Sequence, residues 1–184
     1  MKKLFLAAVV AVCGLTGVNA QSTGFEAEAY AGLPMGDIKD GASFNFGINA
    51  AYYWDVAESF KVGAMVGYDY FAGKDDVKSI SYIPIAASGK YSFDQFYVGL
   101  DLGYALGMTS EKESEEGISA EVKYKGGLMF RPRFGYSTAS FDVFAFYKSI
   151  SNKTEVSASF LGESYSESVS NSVGSLGVGF TYKF

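Results

Sequence analysis

Apolar and polar residues alternate with a period of two along most of this chain. The alternation is regular in residues 43–54, 60–70 and 96–107, where nearly every second residue is apolar or aromatic. Successive side chains of a β-strand point to opposite faces, so each stretch predicts a strand with one apolar face. Each stretch is about eleven residues long, which is the length that a tilted strand needs to cross a membrane.

Further stretches repeat the pattern less regularly, and with them the sequence predicts eight antiparallel strands in an all-β fold. They cover residues 25–33, 80–91, 120–134, 141–150 and 175–184. In the stretch that begins near Ala120, we expect Val122 and Tyr124 to lie on the apolar face with Leu128. Lys123 is then on the polar face.

The strand from Phe141 to Ile150 carries aromatic residues at both parities. Asp142 and Lys148 share one parity, and charged groups belong on the polar face of such a strand. We therefore predict that the other parity faces outward. Its members are Phe141, Val143, Ala145 and Tyr147.

The connections between the predicted strands alternate in length. Short ones lie near residues 55–59, 92–95 and 137–140, and polar, mostly longer ones near 34–40, 72–78, 108–119 and 151–168. Short turns at one end and long loops at the other are typical of outer-membrane barrels. The pattern predicts an eight-stranded transmembrane β-barrel with both ends of the chain on the short-turn side.

The alternation alone does not say which face of the barrel points outward. A water-soluble barrel of the lipocalin type would carry its apolar face inside. Two features favour the membrane barrel. Glycines concentrate on the polar face, as a narrow lumen requires, and aromatic residues cluster near the strand ends on the apolar face, as membrane interfaces require.

Charged residues of both signs fall on the face predicted to line the lumen. They are Glu26, Glu28, Lys61, Asp69, Lys90, Asp101, Lys125, Arg131, Arg133 and Asp142. An eight-stranded barrel is just wide enough for its own side chains, which favours a salt-bridged plug. The second interpretation is a narrow path for ions or solutes.

The chain ends in an alternation of glycine and aromatic residues. Gly179, Phe180, Tyr182 and the terminal Phe184 match the carboxy-terminal assembly signal of outer-membrane barrels. With this segment and eight strands, the chain resembles the small OmpX/OmpW-like barrel family over residues 21–184. The resemblance implies outer-membrane residence and roles in adhesion, stress tolerance or small-molecule passage.

Two of the long loops carry candidate contact residues. The third contains Glu111, Glu113, Glu115 and Glu116, which a calcium site could use, but no EF-hand spacing is present and a solvated acidic loop is favoured. The fourth loop alternates on either side of its tip, so we expect a hairpin that continues its two strands. Phe160 and Leu161 at that tip either contact a partner or pack on each other.

Composition narrows the chemistry further. The chain has no histidine, a single cysteine at Cys13, and 20 acidic against 15 basic residues. We therefore expect no catalytic site, no cofactor and no metal, and we expect no nucleic-acid partner, since that requires a basic surface. Lys2 and Lys3 before an apolar run, with small residues up to Ala20, predict a secretory signal peptide over residues 1–20. A lipoprotein signal at Cys13 is the disfavoured alternative.

Two functions remain after these exclusions. The first is a structural or cell-surface interaction barrel with a filled lumen, and the second is a narrow passive channel for ions or small apolar solutes. For either we expect a monomer in contact with outer-membrane lipid, lipopolysaccharide and the barrel-insertion machinery.

Overall fold

The computed structural model describes residues 24–75, 77–115, 118–160 and 163–184, with backbone alone for 110–124 and 154–168. The predicted signal peptide over residues 1–20 lies outside the described residues and stays a prediction. Leu161 also lies outside them. No helix in the described part of the chain is long and apolar enough to cross a membrane.

Ten antiparallel strands make up the described fold. They are β1 (Phe25–Gly36), β2 (Ala42–Ala57), β3 (Phe60–Gly73), β4 (Ile80–Phe93), β5 (Phe96–Gly107), β6 (Ser110–Glu115), β7 (Ile118–Tyr124), β8 (Gly126–Ser137), β9 (Phe141–Phe160) and β10 (Glu163–Lys183). Eight of them close a barrel in the order β1-β2-β3-β4-β5-β8-β9-β10, and β10 pairs back onto β1. The predicted eight-stranded barrel is confirmed.

The ends of the chain close the barrel. Glu26 lies opposite Lys183, and the register continues without a break to Gly36 opposite Val173. The backbone N–H of Phe184 donates to the carbonyl of Phe25 at 3.1 Å. The barrel therefore has no free strand edge along this seam.

The remaining strands form a second sheet beyond one end of the barrel. Residues 154–160 of β9 pair with β7 on one side and with residues 163–169 of β10 on the other, and β6 pairs with β7. We call these four segments the outer sheet. The predicted hairpin in the fourth loop is thus confirmed, whereas the third long loop is itself a β-hairpin made of β6 and β7.

The prediction for the strand near Ala120 was wrong in one respect. β7 pairs with β9 in the register Tyr124↔Thr154, whereas β8 follows the register Met129↔Ile150, which is displaced by one residue. Gly126, at a φ of 79°, lies between the two strands. A shift of one residue exchanges the two faces of a strand. Val122 and Tyr124 therefore share the lumen-side parity of β9 and not the outward face.

The outward face of the barrel is apolar along every strand. Leu128 is 72% exposed and Val178 64% exposed, and the predicted outward parities of β2, β3, β5 and β9 are all confirmed. So much exposed apolar surface is stable in lipid and not in water. The distribution contradicts a lipocalin-like barrel.

Aromatic rings form a belt at the short-turn end. Phe96 stacks on Phe134 with ring centroids 5.9 Å apart, and Phe141 stacks on Phe180 at 5.7 Å. Phe184 packs edge-on against Tyr182, with centroids 4.9 Å apart. Aromatic residues concentrate at membrane interfaces, so this belt marks one boundary of the apolar surface.

The other boundary lies where the outward residues of β9 and β10 change from apolar to polar. Tyr147 and Leu176, which lie opposite each other, are the last large apolar residues on this face. Beyond them the outward register positions are Ser149, Ser151, Lys153, Glu155, Ser157 and Ser159 of β9 and Gly174, Ser172, Ser170, Ser168, Ser166 and Ser164 of β10. The outer sheet therefore lies beyond the apolar part of the outward surface.

Two prolines lie at gaps in the wall of the barrel. The pairing of β3 with β4 skips residues 83–84, which include Pro84, and the facing residues 67–68. The pairing of β8 with β9 skips residues 131–132, which include Pro132, and the facing residues 147–148. Proline has no N–H to donate, so each residue removes a ladder hydrogen bond from a strand interior.

Candidate functional site

The interior of the barrel is the candidate site, and its wall is shaped by pairs of glycine and aromatic residues. Tyr30 lies directly across from Gly47, and Phe144 across from Gly179. A Cβ at either glycine would overlap the facing ring. Tyr53 across from Gly63 and Tyr97 across from Gly135 repeat the arrangement. The lumen glycines therefore give aromatic rings room to lie against the wall.

Two arginines and two carboxylates form the centre of the lumen. Arg131 donates from Nη1 to Glu28 at 2.5 Å and from Nε to Asp101 at 2.7 Å. Arg133 donates to the second oxygen of Glu28 at 2.9 Å and to Asp101 at 3.0 Å. The four residues come from three strands, β1, β5 and β8, so the charges join distant parts of the wall.

Neutral side chains complete the hydrogen bonding around this centre. Arg133 Nη2 donates to the hydroxyl oxygens of Tyr53 at 2.9 Å and Ser88 at 3.0 Å. The Ser88 hydroxyl in turn donates to Asp101. Asn49 donates from Nδ2 to Glu28 at 2.6 Å. Each carboxylate thus has a neutral donor as well as charged ones, which reduces the cost of burial.

A second group of charges lies nearer the short turns. Lys90 Nζ is 2.9 Å from Glu26 and 2.7 Å from Asp142, and Lys183 is 2.5 Å from the other oxygen of Asp142. The Lys90 ammonium also lies over the ring of Tyr97, 4.7 Å from its centroid. This arrangement connects β1, β4, β9 and β10 at the end where the chain termini meet.

A third group lies on the long-loop side of the centre. Lys148 forms an ion pair with Asp69 and donates to the amide oxygen of Asn45 at 3.0 Å. Asn45 also donates to Asp69 at 2.6 Å. The ammonium of Lys148 lies 4.8 Å from the ring centroid of Tyr30 and 5.1 Å from that of Phe71.

The three groups together are called the ionic lumen. It holds five carboxylates and five cations, which are Glu26, Glu28, Asp69, Asp101, Asp142, Lys90, Arg131, Arg133, Lys148 and Lys183. Its formal charges cancel, and Arg131 at the centre is 1% exposed. Removing one partner from a buried pair is costly because the other charge stays buried, so the network holds the wall together across the axis.

The structure places eight of the ten predicted lumen charges in this network, and the two others elsewhere. Lys61 stands at the short-turn rim, where it pairs with Asp55 at 3.0 Å and its side chain is 41% exposed. Lys125 is exposed next to Gly126, where the register shift takes it off the lumen wall. Including these two residues in the lumen was wrong, because parity says nothing about height along the axis or about a shift of register.

Two residues of the network were not among the predicted charges. Lys148 has the lumen parity of β9, and Lys183 has that of β10, so alternation could have found both. Lys148 already marks the polar face of its strand in the sequence, so it could have joined the predicted lumen charges. Lys183 continues the glycine parity of the terminal segment, so the same pattern could have included it.

The long-loop end of the lumen is apolar, which departs from the expectation of a polar interior. The side chains that fill it are named the apolar cap. They are Ala42, Phe71, Ile80, Tyr82, Ala105, Met129, Ile150 and Val173. Phe71 and Tyr82 meet edge to face with centroids 6.1 Å apart, and both are fully buried. The cap closes the lumen above the Lys148–Asp69 pair.

The other predicted sites have the following places. Phe180 and Tyr182 of the terminal segment face outward, Gly179 lies against the ring of Phe144, and Phe184 packs on Phe25 with centroids 5.2 Å apart. Recognition of this segment by the barrel-insertion machinery stays a prediction.

Phe160, one of the two predicted contact residues at the tip of the fourth loop, is the last residue of β9, and only its backbone is described. Within the described residues, no group of acidic, cysteine or histidine side chains could hold a metal ion.

Three solved structures of outer-membrane proteins are similar to this chain. The outer membrane protease OmpT from Escherichia coli is 11% identical, covers 92% of this chain and 99% of its own, and has a TM-score of 0.51. AlkL, solved in DMPC bilayers, is 18% identical, covers 90% and 94%, and has a TM-score of 0.46. OprG from Pseudomonas aeruginosa is 12% identical, covers 88% and 93%, and has a TM-score of 0.44.

The OmpT similarity concerns the fold alone, and it agrees with the antiparallel β-barrel that the sequence predicted. No protein-family model and no curated protein matches the chain.

Proposed function

We propose that this chain is an outer-membrane barrel with a sealed, non-catalytic lumen that displays the outer sheet at the cell surface for interaction with another molecule. The observation that carries the proposal is the change of the outward face from apolar to polar beyond Tyr147 and Leu176. β9 and β10 continue for more than ten residues past that boundary, which a barrel used only as a membrane plug would not need.

The sealed lumen rests on the two layers that cross it. Five carboxylates and five cations pair across the axis, and the apolar cap lies above them with Phe71, Tyr82 and Ile150 fully buried. An eight-stranded barrel encloses about the volume of its own side chains. Both layers would have to move for a solute to pass.

The same pairing supports the non-catalytic part of the proposal. Every charged group of the ionic lumen is within ion-pair distance of an opposite charge, and the chain has no histidine to act as a base. A catalytic carboxylate or lysine needs access to a substrate, and the carboxylates of this network are buried and held in ion pairs.

The second candidate is narrow passive passage of ions or small apolar solutes. The gaps in the ladder at Pro84 and Pro132 favour it, because the wall has fewer hydrogen bonds there than elsewhere. Planar-bilayer recording of the purified chain distinguishes the two functions. We expect no sustained current; unitary current steps whose ion selectivity changes in Arg131→Glu would establish the channel and overturn the sealed barrel.

Placement of the outer sheet is tested by cysteine labelling, since the only native cysteine is Cys13. Ser166→Cys puts a thiol in the outer sheet, and Ser140→Cys puts one in the short turn between β8 and β9. A membrane-impermeant maleimide added to intact cells should label Ser166→Cys alone, and permeabilised cells should show both. Labelling of Ser140→Cys alone in intact cells would overturn the proposed orientation, and labelling of neither would overturn surface display.

A further inference from the structure

The register of the outer sheet places an apolar stripe on one of its faces. Residues of a strand alternate between faces, and directly paired residues share a face. Val156 pairs with Val122, and Ala158 with Ala120. The apolar positions on this face are Ile118, Ala120, Val122 and Tyr124 of β7, Val156, Ala158 and Phe160 of β9, and Tyr165 and Val169 of β10.

Glutamates flank the stripe on both sides. Glu111, Glu113 and Glu115 of β6 pair with Val122, Ala120 and Ile118, so they occupy the same face along one border. Along the other border, Glu163 pairs with Phe160 and Glu167 with Val156. The face therefore has two central apolar strands and an acidic row on either side.

The opposite face of the outer sheet has a different composition. Its positions are serine, lysine and glutamate throughout, including Glu121, Lys123, Lys153 and Glu155. The apolar face has the lumen-side parity of β9 and β10, so it continues the line of Ile150 and Val173 beyond the mouth of the barrel. Val169, the position on this face nearest the mouth with a described side chain, is 53% exposed.

We propose that this face binds a cationic amphipathic helix of a partner protein or peptide, in which an apolar stripe is flanked by lysine or arginine on both sides. The proposal rests on surface display of the outer sheet. An apolar stripe of the ligand would cover the stripe on β7 and β9, and its basic flanks would reach the glutamate rows on β6 and β10. Basic flanks opposite the two glutamate rows would align the helix along the stripe and turn its apolar side toward the sheet.

The dimensions fit a helix of this kind. The glutamate rows lie on strands that are three strand spacings apart, or about 14 Å, and an α-helix with its side chains is about 10–12 Å wide. Seven paired residues of β7 and β9 extend for about 24 Å, which matches a helix of about 16 residues.

Other occupants of the face do not match its charge. Lipopolysaccharide and phospholipid headgroups carry phosphate, which the glutamate rows would repel. A second copy of this chain would bring the same acidic rows and a net charge of −5. Only a basic partner neutralises both borders.

The test uses the full chain in nanodiscs of zwitterionic lipid, with a fluorescent 14-residue peptide of leucine and lysine that forms an amphipathic helix. Its control is a peptide of the same composition in an order that abolishes the apolar stripe. We expect the amphipathic peptide to bind more tightly to loaded than to empty nanodiscs, and the control peptide to show no such difference. Equal binding of the two peptides to the loaded nanodiscs would overturn the apolar part of the proposal.

Matched charge variants test which face the peptide uses. Glu113→Gln with Glu167→Gln removes two charges from the apolar face, and Glu121→Gln with Glu155→Gln removes two from the opposite face. The first pair should weaken binding roughly tenfold, and the second should leave it within about twofold. Equal losses would mean unspecific attraction to net charge and would overturn the proposal.

The outcome is separable from that of the proposed function. Failure of the peptide to bind the unchanged chain would overturn the helix-binding face, while labelling of Ser166→Cys on intact cells would still support surface display. If that labelling fails, the proposed function fails irrespective of the peptide.

Discussion

The ionic lumen and the apolar cap fill two parts of one barrel by different means. In the ionic lumen, charges on strands up to half the barrel apart are joined, as in the pairing of Lys148 on β9 with Asp69 on β3. In the apolar cap, side chains such as Phe71, Tyr82 and Ile150 fill the interior of the barrel with no ion pair among them. The outward face around the ionic lumen is apolar, whereas on β9 and β10 it turns polar at the height of the cap, at Ser149 and Gly174.

The difference shows that the two parts hold the barrel in different ways. Ion pairs and hydrogen bonds fix which groups lie opposite each other, because a mismatched partner leaves a buried charge. Apolar packing depends on volume and tolerates exchange of similar shapes. The ionic lumen therefore fixes the arrangement of the strands around the axis, and the apolar cap closes the end that faces the outer sheet.

The largest effect is expected from Arg131→Met. It leaves Glu28 and Asp101 buried with one guanidinium between them, so the free energy of unfolding should fall by about 3–5 kcal/mol. Urea titration of the protein in lipid vesicles measures the change. The control is Lys61→Met, which removes the exposed rim pair with Asp55 and should cost at most about 1 kcal/mol. Equal costs would remove the distinction between lumen and rim.

Truncation in the apolar cap should come next. Ile150→Ala leaves a cavity among fully buried side chains, and we expect a loss of about 2–5 kcal/mol in the same titration. Ser149→Ala, one residue along on the outward parity, should change the free energy by no more than about 0.5 kcal/mol. If Ile150→Ala lowers the free energy of unfolding no more than Ser149→Ala does, the cap is loosely packed. The contrast between a charged and a tightly packed apolar part of the lumen would then be wrong.

A smaller effect is expected where glycine meets an aromatic ring. Gly47→Ala would place a Cβ against Tyr30, whose ring lies between Arg131 and Lys148 at 5.2 Å and 4.8 Å from its centroid. The ring must move, and the overpacking should cost about 1–3 kcal/mol.

The matched substitution is Gly89→Ala on the outward face of β4. The nearest atom to its new Cβ is 3.8 Å away, on Phe60, so there is room for the methyl group. The free energy of unfolding should rise slightly or stay unchanged, because alanine restricts the unfolded chain more than glycine does. If Gly89→Ala destabilises the protein as much as Gly47→Ala does, then backbone freedom explains the lumen glycines, and the space that they leave for the aromatic rings does not.

The sequence by itself determined the strands, the outward face and most of the charged interior. Alternation is a local property with a period of two, so it could be read at Phe96–Gly107 or Phe60–Tyr70 without knowing what the strands pack against. The same parity placed Asp101, Arg131 and Asp142 in the lumen before any neighbour was known.

Only the tertiary structure decided how high each lumen residue lies along the barrel axis, which residues it pairs with, and where the strand register shifts. By parity, Lys61, Lys90 and Lys125 were all predicted to face inward. The structure places Lys61 at the rim of the barrel and Lys125, next to Gly126, outside the lumen. The one-residue displacement between β7 and β8 depends on how each strand pairs with β9. The apolar cap likewise arises from strand ends far apart in the chain, such as Phe71 and Val173, which meet only when the barrel closes. Each of these depends on pairing between distant strands, and alternation along one strand carries no information about its neighbour.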